Sequence, residues 1–470
     1  MTLETDYLVI GAGASGLAFA DGLVRRSDAH VTLVDRRDAP GGHWNDVYPF
    51  VRLHQPASFY GVESIELDRG ELESAGPNAG WMSLSEGPEI VAYFHRVMRE
   101  KLLPTGRVRF VPMSEAEPGD APGPVTIRHR LSGERSTVIV RRKLVDAARF
   151  TNAVPATHRP AFDIAPGVAC VPPNDLPRRV GGFGHHVVLG AGKTAIDAVC
   201  WLLAQGAPAA SISWVVPRDS WFFNRSKVQP TMAHFDSTFT SVAEQREAMA
   251  AATSVRDLGH RMEACGAWLR LDPSIEPTMF HFATLSEGEL ALLRRVGRTV
   301  RLGRVTAIEP GRLRLQRGDV EVPASSLFVD CTASALSYKP PVPVFAGPRL
   351  TIQMVRIPQP TFSAALTAFL ETQPGTDDEK NACMRPVVMT DTVDDYPRSQ
   401  LTDLANRHAA SRIPAVRDWL ACSRLEGFQH LLAQVGPGDA ARMAILQRIR
   451  VASQAAFQNL QRLAAMPRVA

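Results

Sequence analysis

The sequence predicts an α/β fold in which two doubly wound parallel sheets follow one another along the chain, and three observations carry that prediction. A glycine-rich turn occurs twice, 179 residues apart: Gly11-Ala12-Gly13-Ala14-Ser15-Gly16 and Gly190-Ala191-Gly192-Lys193-Thr194-Ala195. Each turn follows a short apolar strand, Tyr7 to Ile10 or His186 to Leu189, and each opens a stretch of helical periodicity, Ala14 to Arg26 or onward to about Leu203. Each helix then leads into another apolar strand, His30 to Val34 or Ile212 to Val216. Such strand–turn–helix–strand units cradle a dinucleotide pyrophosphate on the helix N-terminus, where unpaired N–H groups and the helix dipole favour negative charge.

Size and composition agree. The chain has 470 residues, 45% hydrophobic and 21% charged, enough for two or three domains with their own cores. A net charge of +4, with no basic run, argues against nucleic acid as a partner. The six cysteines are dispersed without a C-x-x-C pair, which argues against a metal site or a dithiol redox pair and predicts reduced thiols in a cytoplasmic protein. A strand begins almost at the N-terminus, leaving no room for a signal peptide, and no apolar run is long enough to cross a bilayer.

In the first turn, Gly11 permits the tight bend, Gly13 lets backbone approach a pyrophosphate, and Gly16 allows close helix–strand packing. Asp35, 19 residues after Gly16 at the end of the second strand, stands where a carboxylate receives ribose hydroxyls. Asp35-Arg36-Arg37, Gly41-Gly42-His43-Trp44 and Tyr48-Pro49-Phe50-Val51-Arg52 then resemble the flavin-binding segment of the flavin-containing and Baeyer–Villiger monooxygenases. In that family Gly-Gly-x-Trp is followed by Tyr-Pro-Gly-x-Arg-x-Asp. The resemblance implies FAD in the first site, held by Gly11, Gly13, Ala14, Ser15, Gly16, Asp35, Arg36, Gly42, His43, Trp44, Arg52, His54 and Gln55, with Arg52 close to the isoalloxazine. Phe50 departs from the family glycine and His54 from the Baeyer–Villiger aspartate. Arg52 and His54 are the candidate catalytic residues. His54 has two readings: an imidazole assisting proton transfer, or one that hydrogen-bonds flavin or backbone.

The second turn has alanine, Ala195, in place of the third glycine, a tolerated variant. A triphosphate-binding loop is excluded, because it needs glycine five residues before Gly192 and Val187 stands there. Val216 occupies the place of Asp35, so no carboxylate awaits a ribose 2′-hydroxyl. Arg218 follows, and a guanidinium there favours NADPH over NADH, with Asp219 as its possible neutraliser. Gly190, Gly192, Lys193, Thr194 and Arg218 are the expected coenzyme contacts; Lys193 is either a phosphate ligand or a solvated lysine at the start of a helix.

Elsewhere, 64 to 85 reads as a loop and Pro88 to Leu103 as a helix. Val125 to Arg130 and Ser136 to Val140 read as a hairpin, and Lys143 to Ala148 as a strand leaving the first domain. The family fingerprint F-x-G-x-x-x-H is missing from Ala161 to Asn174, where no histidine follows Gly167. A mostly helical insertion, about 240 to 300, contains His281, read as a substrate-side group or a core histidine. Leu327 to Ala333 reads as the strand that returns the chain to the first domain, Thr351 to Ile357 as another strand, and Pro360 to about Leu370 as a helix, with Arg356 and Gln359 as weak candidates for the flavin's far edge. A last helix capped by Asp439 is amphipathic and cationic, suited to a membrane surface or to the protein's own core.

The predicted organisation is two interleaved Rossmann-like dinucleotide-binding domains, for FAD and NADPH, with a helical insertion and a helical C-terminal region. The FAD domain takes 1–158 and 326–397, the NAD(P)H domain 159–325, and the C-terminal helices 398–470. The resemblance covers about residues 6 to 340. It implies an NADPH-using monooxygenase that transfers one atom of molecular oxygen to a small molecule through a flavin C4a-peroxide. Two rivals stand beside it: a flavin reductase, dehydrogenase or oxidase without oxygen transfer, and a non-enzymatic flavin or nicotinamide sensor.

Overall fold

The computed structural model describes residues 2–68, 70–119, 121–150, 153–334 and 339–467. In the first half, β1 (Thr2–Ile10) passes through the turn into α1 (Ala14–Val24) and β2 (Val31–Val34). After a long loop come α2 (Gly87–Val97), continued by a π-helical turn to Leu102, then β3 (Val108–Val111), β4 (Gly123–His129) and β5 (Arg135–Asp146). β3, β2, β1 and β5 lie side by side, all parallel, and the late strand Arg349–Thr351 adds itself beside β5. Tyr7, Leu8 and Val9 of β1 and all of β2 are buried on both faces, as a sheet covered by helices requires.

Two expected elements prove to be one. The hairpin strand Ser136–Val140 and the exit strand from Lys143 are both part of the twelve-residue β5. Its first half pairs antiparallel with β4, and Thr137 to Asp146 run parallel to β1 with a register shift between Thr5 and Tyr7. One edge of β5 thus serves the hairpin while the other serves the parallel sheet.

The second half repeats the plan. β6 (Ala169–Val171), β7 (His185–Leu189), α3 (Lys193–Ala204), β8 (Ile212–Val215), β9 (Arg298–Val300) and β10 (Ser326–Asp330) form a parallel sheet in the order β6-β10-β7-β8-β9. Between β8 and β9 the insertion brings α4 (Phe235–Ala251) and α5 (Val255–Ala264), and also strands Trp268–Arg270 and Met279–Leu285, which flank Ser220–Asn224 in a three-stranded sheet. The strand at Thr351 is shorter than expected: it ends there, and 352–357 is irregular chain leading to α6 (Pro360–Glu371). α6 packs on α1 where Gly22 permits close approach, since a Cβ there would stand 3.0 Å from that of Ala368.

The last helix, α7 (Ala440–Ala464), is capped by Asp439, which accepts from the Arg442 amide. It lies along α4, with Ala456, Leu460 and Leu463 buried and Ile445 and Ile449 packed toward Phe235 and Phe239. Its apolar stripe is thus spent on the protein's own core. No helix among the described residues is long and apolar enough to cross a membrane.

Candidate functional site

Both glycine turns open onto one continuous cleft of about 1080 Å³, at the carboxyl ends of the two parallel sheets. Of the expected residues, Gly11, Gly13, Ala14, Ser15, Asp35, Arg36, Gly42, His43 and His54 line it from the first domain. Gly190, Gly192, Lys193, Thr194 and Arg218 line it from the second.

The first turn is built for an anion. α1 begins at Gly13 with no side-chain cap and no acidic residue in its first turn, so its leading N–H groups face the cleft unanswered. Gly11 has φ +101°, open to glycine at little cost, and a Cβ on Gly16 would stand 1.9 Å from the Gly11 carbonyl oxygen. Gly16 therefore packs the turn and does not line the cleft. Asp35 is buried; one oxygen accepts from the Ala12 amide at 2.7 Å and the other from the Arg37 amide at 2.9 Å, leaving lone pairs for ribose hydroxyls. Gly42 presses against Gly13, where a Cβ would come within 2.8 Å of the Gly13 Cα.

Four expected first-site residues lie outside the cleft lining: Gly16, Trp44, Arg52 and Gln55. Trp44 donates from its indole to the Tyr60 hydroxyl at 2.8 Å, and Tyr60 in turn lines the cleft. Arg52, expected near the flavin ring, instead makes a two-pronged pair with Glu73 at 2.7 and 3.2 Å. A bidentate carboxylate fixes a guanidinium more firmly than an open cleft does. Among the described residues the buried Gln55 side-chain amide nitrogen has no partner, nor do the side-chain oxygens of Gln359 and Thr361 on either side of the cleft-lining Pro360. Arg356 points elsewhere, to Glu426 at 3.0 Å.

His54 is held neutral, its pKa driven well below the ordinary value by burial and then by Lys193 and Arg225. His43, tilted against the Trp44 ring, is lowered to about 4 by burial and the Arg37 charge. Neither imidazole carries charge at neutral pH.

The second turn matches the first in plan. α3 starts at Gly192 without a side-chain cap, and a Cβ on Gly192 would meet nothing within 4 Å, so the backbone is open to a phosphate. A Cβ on Gly190 (φ +112°) would lie 2.7 Å from the Cys331 carbonyl oxygen, which makes that glycine obligatory. Lys193 is not solvated: its ammonium pairs with Asp197 and reaches the Arg52 carbonyl at 3.5 Å. Asp197 also accepts from the Tyr48 hydroxyl at 2.7 Å, and Trp201, one turn on, stacks on Phe50 at 5.1 Å. Residues at i, i+4 and i+8 share one helix face, and α3 uses that face to clamp segment 48–52 of the first domain. Phe50, in the place of the family glycine, is the apolar half of this clamp.

Asp219 does not neutralise Arg218. It is buried against Arg301, at 2.9 and 3.1 Å. A distant residue faces Arg218 instead: Asp391, 3.9 Å away, which also receives His281 at 3.1 Å. His281, Asp391 and Arg304 line the cleft. So do Phe222, Met279, Ala283 and Met389, which no local motif distinguishes. Cys331 is buried in the cleft wall, its thiol pushed well above its ordinary pKa by burial and by Asp330, as an inert thiol requires. All six cysteines are free, and no cluster of three metal-ligating side chains occurs among the described residues.

Two parallel, doubly wound sheets facing one cleft define a protein with two interleaved dinucleotide-binding domains. Its fold is that of the flavin monooxygenases: it is similar to a polycyclic ketone monooxygenase from the thermophilic fungus Thermothelomyces thermophila, with TM-score 0.51 and 13% identity over 99% of this chain and 88% of that one. It is equally similar to an oxidized steroid monooxygenase bound to NADP, with TM-score 0.51 and 15% identity over 96% and 99%. Residues 9–58 match the NAD(P)-binding Rossmann-like domain. The chain is 41% identical, over 95% of its length and 81% of theirs, to uncharacterized proteins of Mycobacterium tuberculosis and Mycobacterium bovis, and it belongs to their family.

Proposed function

We propose that this protein is an FAD-dependent, NADPH-using monooxygenase that places one oxygen atom on a small organic molecule. The observation that carries the reading is the single cleft shared by both glycine turns, which lets two dinucleotides meet. FAD, when bound, supplies the redox chemistry, accepting hydride from the nicotinamide and passing electrons to molecular oxygen.

The chain's own part is placement and electrostatics. The free amides at the starts of α1 and α3 hold the two pyrophosphates, and Asp35 holds the adenosine ribose of FAD. Arg218 and Arg304 offer positive charge to a 2′-phosphate, which favours NADPH. His54, kept neutral, offers hydrogen bonds without adding a cation to the cleft. Phe222, Ala283 and Met389 give an apolar wall that suits an apolar substrate and excludes water.

The test starts from the absorbance of the purified protein, which should show bound flavin that bleaches faster with NADPH than with NADH. Labelled oxygen should then appear in the product. Prompt reduction followed by stoichiometric hydrogen peroxide with every substrate offered would assign the protein to the oxidases or reductases instead. A protein that binds only one dinucleotide would sink both readings.

A further inference from the structure

Asp391 lies far along the chain from the second dinucleotide fold, in a segment held to the insertion by the bridge between Met279 and Thr392. Its carboxylate nevertheless projects into the cleft beside Arg218, the cation just past the end of β8. One carboxylate oxygen receives His281 at 3.1 Å and the other stands 3.9 Å from the Arg218 guanidinium. The three side chains are partly open, with Arg218 43% and Asp391 46% exposed, so the pairing is reversible and weak. Arg304 lines the same cleft with no carboxylate partner among the described residues.

An anion already sits, therefore, where the strand-end cation is expected to meet a ribose phosphate. We propose that Asp391 is a coenzyme-selectivity residue: it competes with the 2′-phosphate of NADPH for Arg218 and His281, and so narrows the preference for NADPH over NADH. The inference rests on the reading that a nicotinamide dinucleotide occupies the second turn, and it adds that selectivity is set across domains by a residue outside the dinucleotide fold. A dianionic phosphate outbids a single carboxylate for a guanidinium but must first displace it. NADH has no phosphate there, and its neutral ribose hydroxyl can donate to Asp391 without displacing it from Arg218.

The experiment measures dissociation constants for NADP+, NAD+, 2′,5′-ADP and AMP on the flavin-loaded protein, by calorimetry at fixed ionic strength. Asp391→Asn keeps the shape and removes the charge. It should tighten NADP+ and 2′,5′-ADP by roughly threefold, the scale of one exposed ion pair, while NAD+ and AMP do not tighten. Arg218→Met should abolish most of the difference between the phosphorylated and unphosphorylated ligands, and Asp391→Asn added to it should then tighten the phosphorylated ligands less than it does alone, because only His281 remains to be released. NADP+ binding with an unmoved NADP+/NAD+ ratio in Asp391→Asn overturns this inference alone. Absence of binding by all four ligands overturns the underlying reading with it.

Discussion

The two glycine turns of this protein share a plan and differ in how tightly the plan is enforced. The first is closed: a Cβ at Gly16 would stand 1.9 Å from the Gly11 carbonyl oxygen, and Gly42 backs against Gly13. The second is looser. Ala195 occupies the position of Gly16 with its methyl group fully buried and accommodated, and Gly192 faces open space. The first turn also has its carboxylate, Asp35, bonded into the loop itself, whereas the acids beside the second are held by side-chain cations: Asp197, on the helix that the turn opens, by Lys193, and Asp391, from about 200 residues further on, beside Arg218. A turn closed by its own backbone suits a cofactor that stays; an open one suits a coenzyme that must come and go.

The largest expected effect tests that contrast directly. Gly16→Ala forces a methyl group into backbone that has no side chain to yield, at a cost of about 3 kcal/mol or more, and should leave the purified protein with little flavin. The reciprocal change, Ala195→Gly, should cost only about 1 kcal/mol from helix propensity and leave flavin content intact. Thermal melts and flavin-to-protein ratios of the two variants read this out. Equal losses in both would erase the distinction between a closed and an open turn.

The next effect concerns what joins the halves. Trp201→Ala removes the ring that stacks on Phe50 while leaving both sheets whole. A loss of about 2 kcal/mol is expected for a partly buried aromatic at such a contact, together with separation of one melting transition into two. A single transition at the parental temperature would mean that the clamp does not couple the domains.

How much of this was legible in the sequence follows from range. The turns, their strands and Asp35 were readable because each lies within one local unit whose spacing is fixed by backbone geometry. The fusion of a hairpin strand and an exit strand into β5 was not, because pairing on two sides of one strand leaves no mark in its periodicity. The clamp was half visible: Phe50 stood out as a departure from glycine, but its partner Trp201 lies 151 residues away on an unremarkable helix. Asp391 was invisible for the same reason, and Asp219, the adjacent acid that sequence offered for Arg218, is turned to Arg301. Arg52 shows the limit of resemblance: the motif places the residue, while Glu73, in a loop of no recognisable pattern, decides where its charge goes.

A third expectation uses pH to probe the first site. His54 and His43 both line the first domain's side of the cleft, and both are held neutral in the folded state, mainly by burial. The unfolded chain takes up protons on these rings below about pH 6.5, while the folded chain refuses them, for His43 down to about 4. Their penalty is therefore absent above about pH 6.5 and grows as pH falls below it, at up to about 1.4 kcal/mol per pH unit for each ring. Urea unfolding of the flavin-free protein at pH 7.5 and 5.5 should show the loss, and His43→Asn should remove its own share, leaving that of His54.

The smallest expected effect is the most pointed about resemblance. Because Arg52 gives its guanidinium to Glu73 and only its backbone carbonyl to Lys193, Arg52→Gln should cost about 1 kcal/mol or less in stability. It should also slow reduction by NADPH no more than about threefold, under 1 kcal/mol of barrier. Lys193→Gln, by contrast, removes the cation that the second turn presents to the cleft and frees the buried Asp197, so it should weaken coenzyme binding and stability together. Stopped-flow reduction of both variants separates the cases: a collapse of the rate in Arg52→Gln with binding intact would mean that the guanidinium leaves Glu73 for the flavin once the cleft is filled, and the first domain would then be the more mobile of the two.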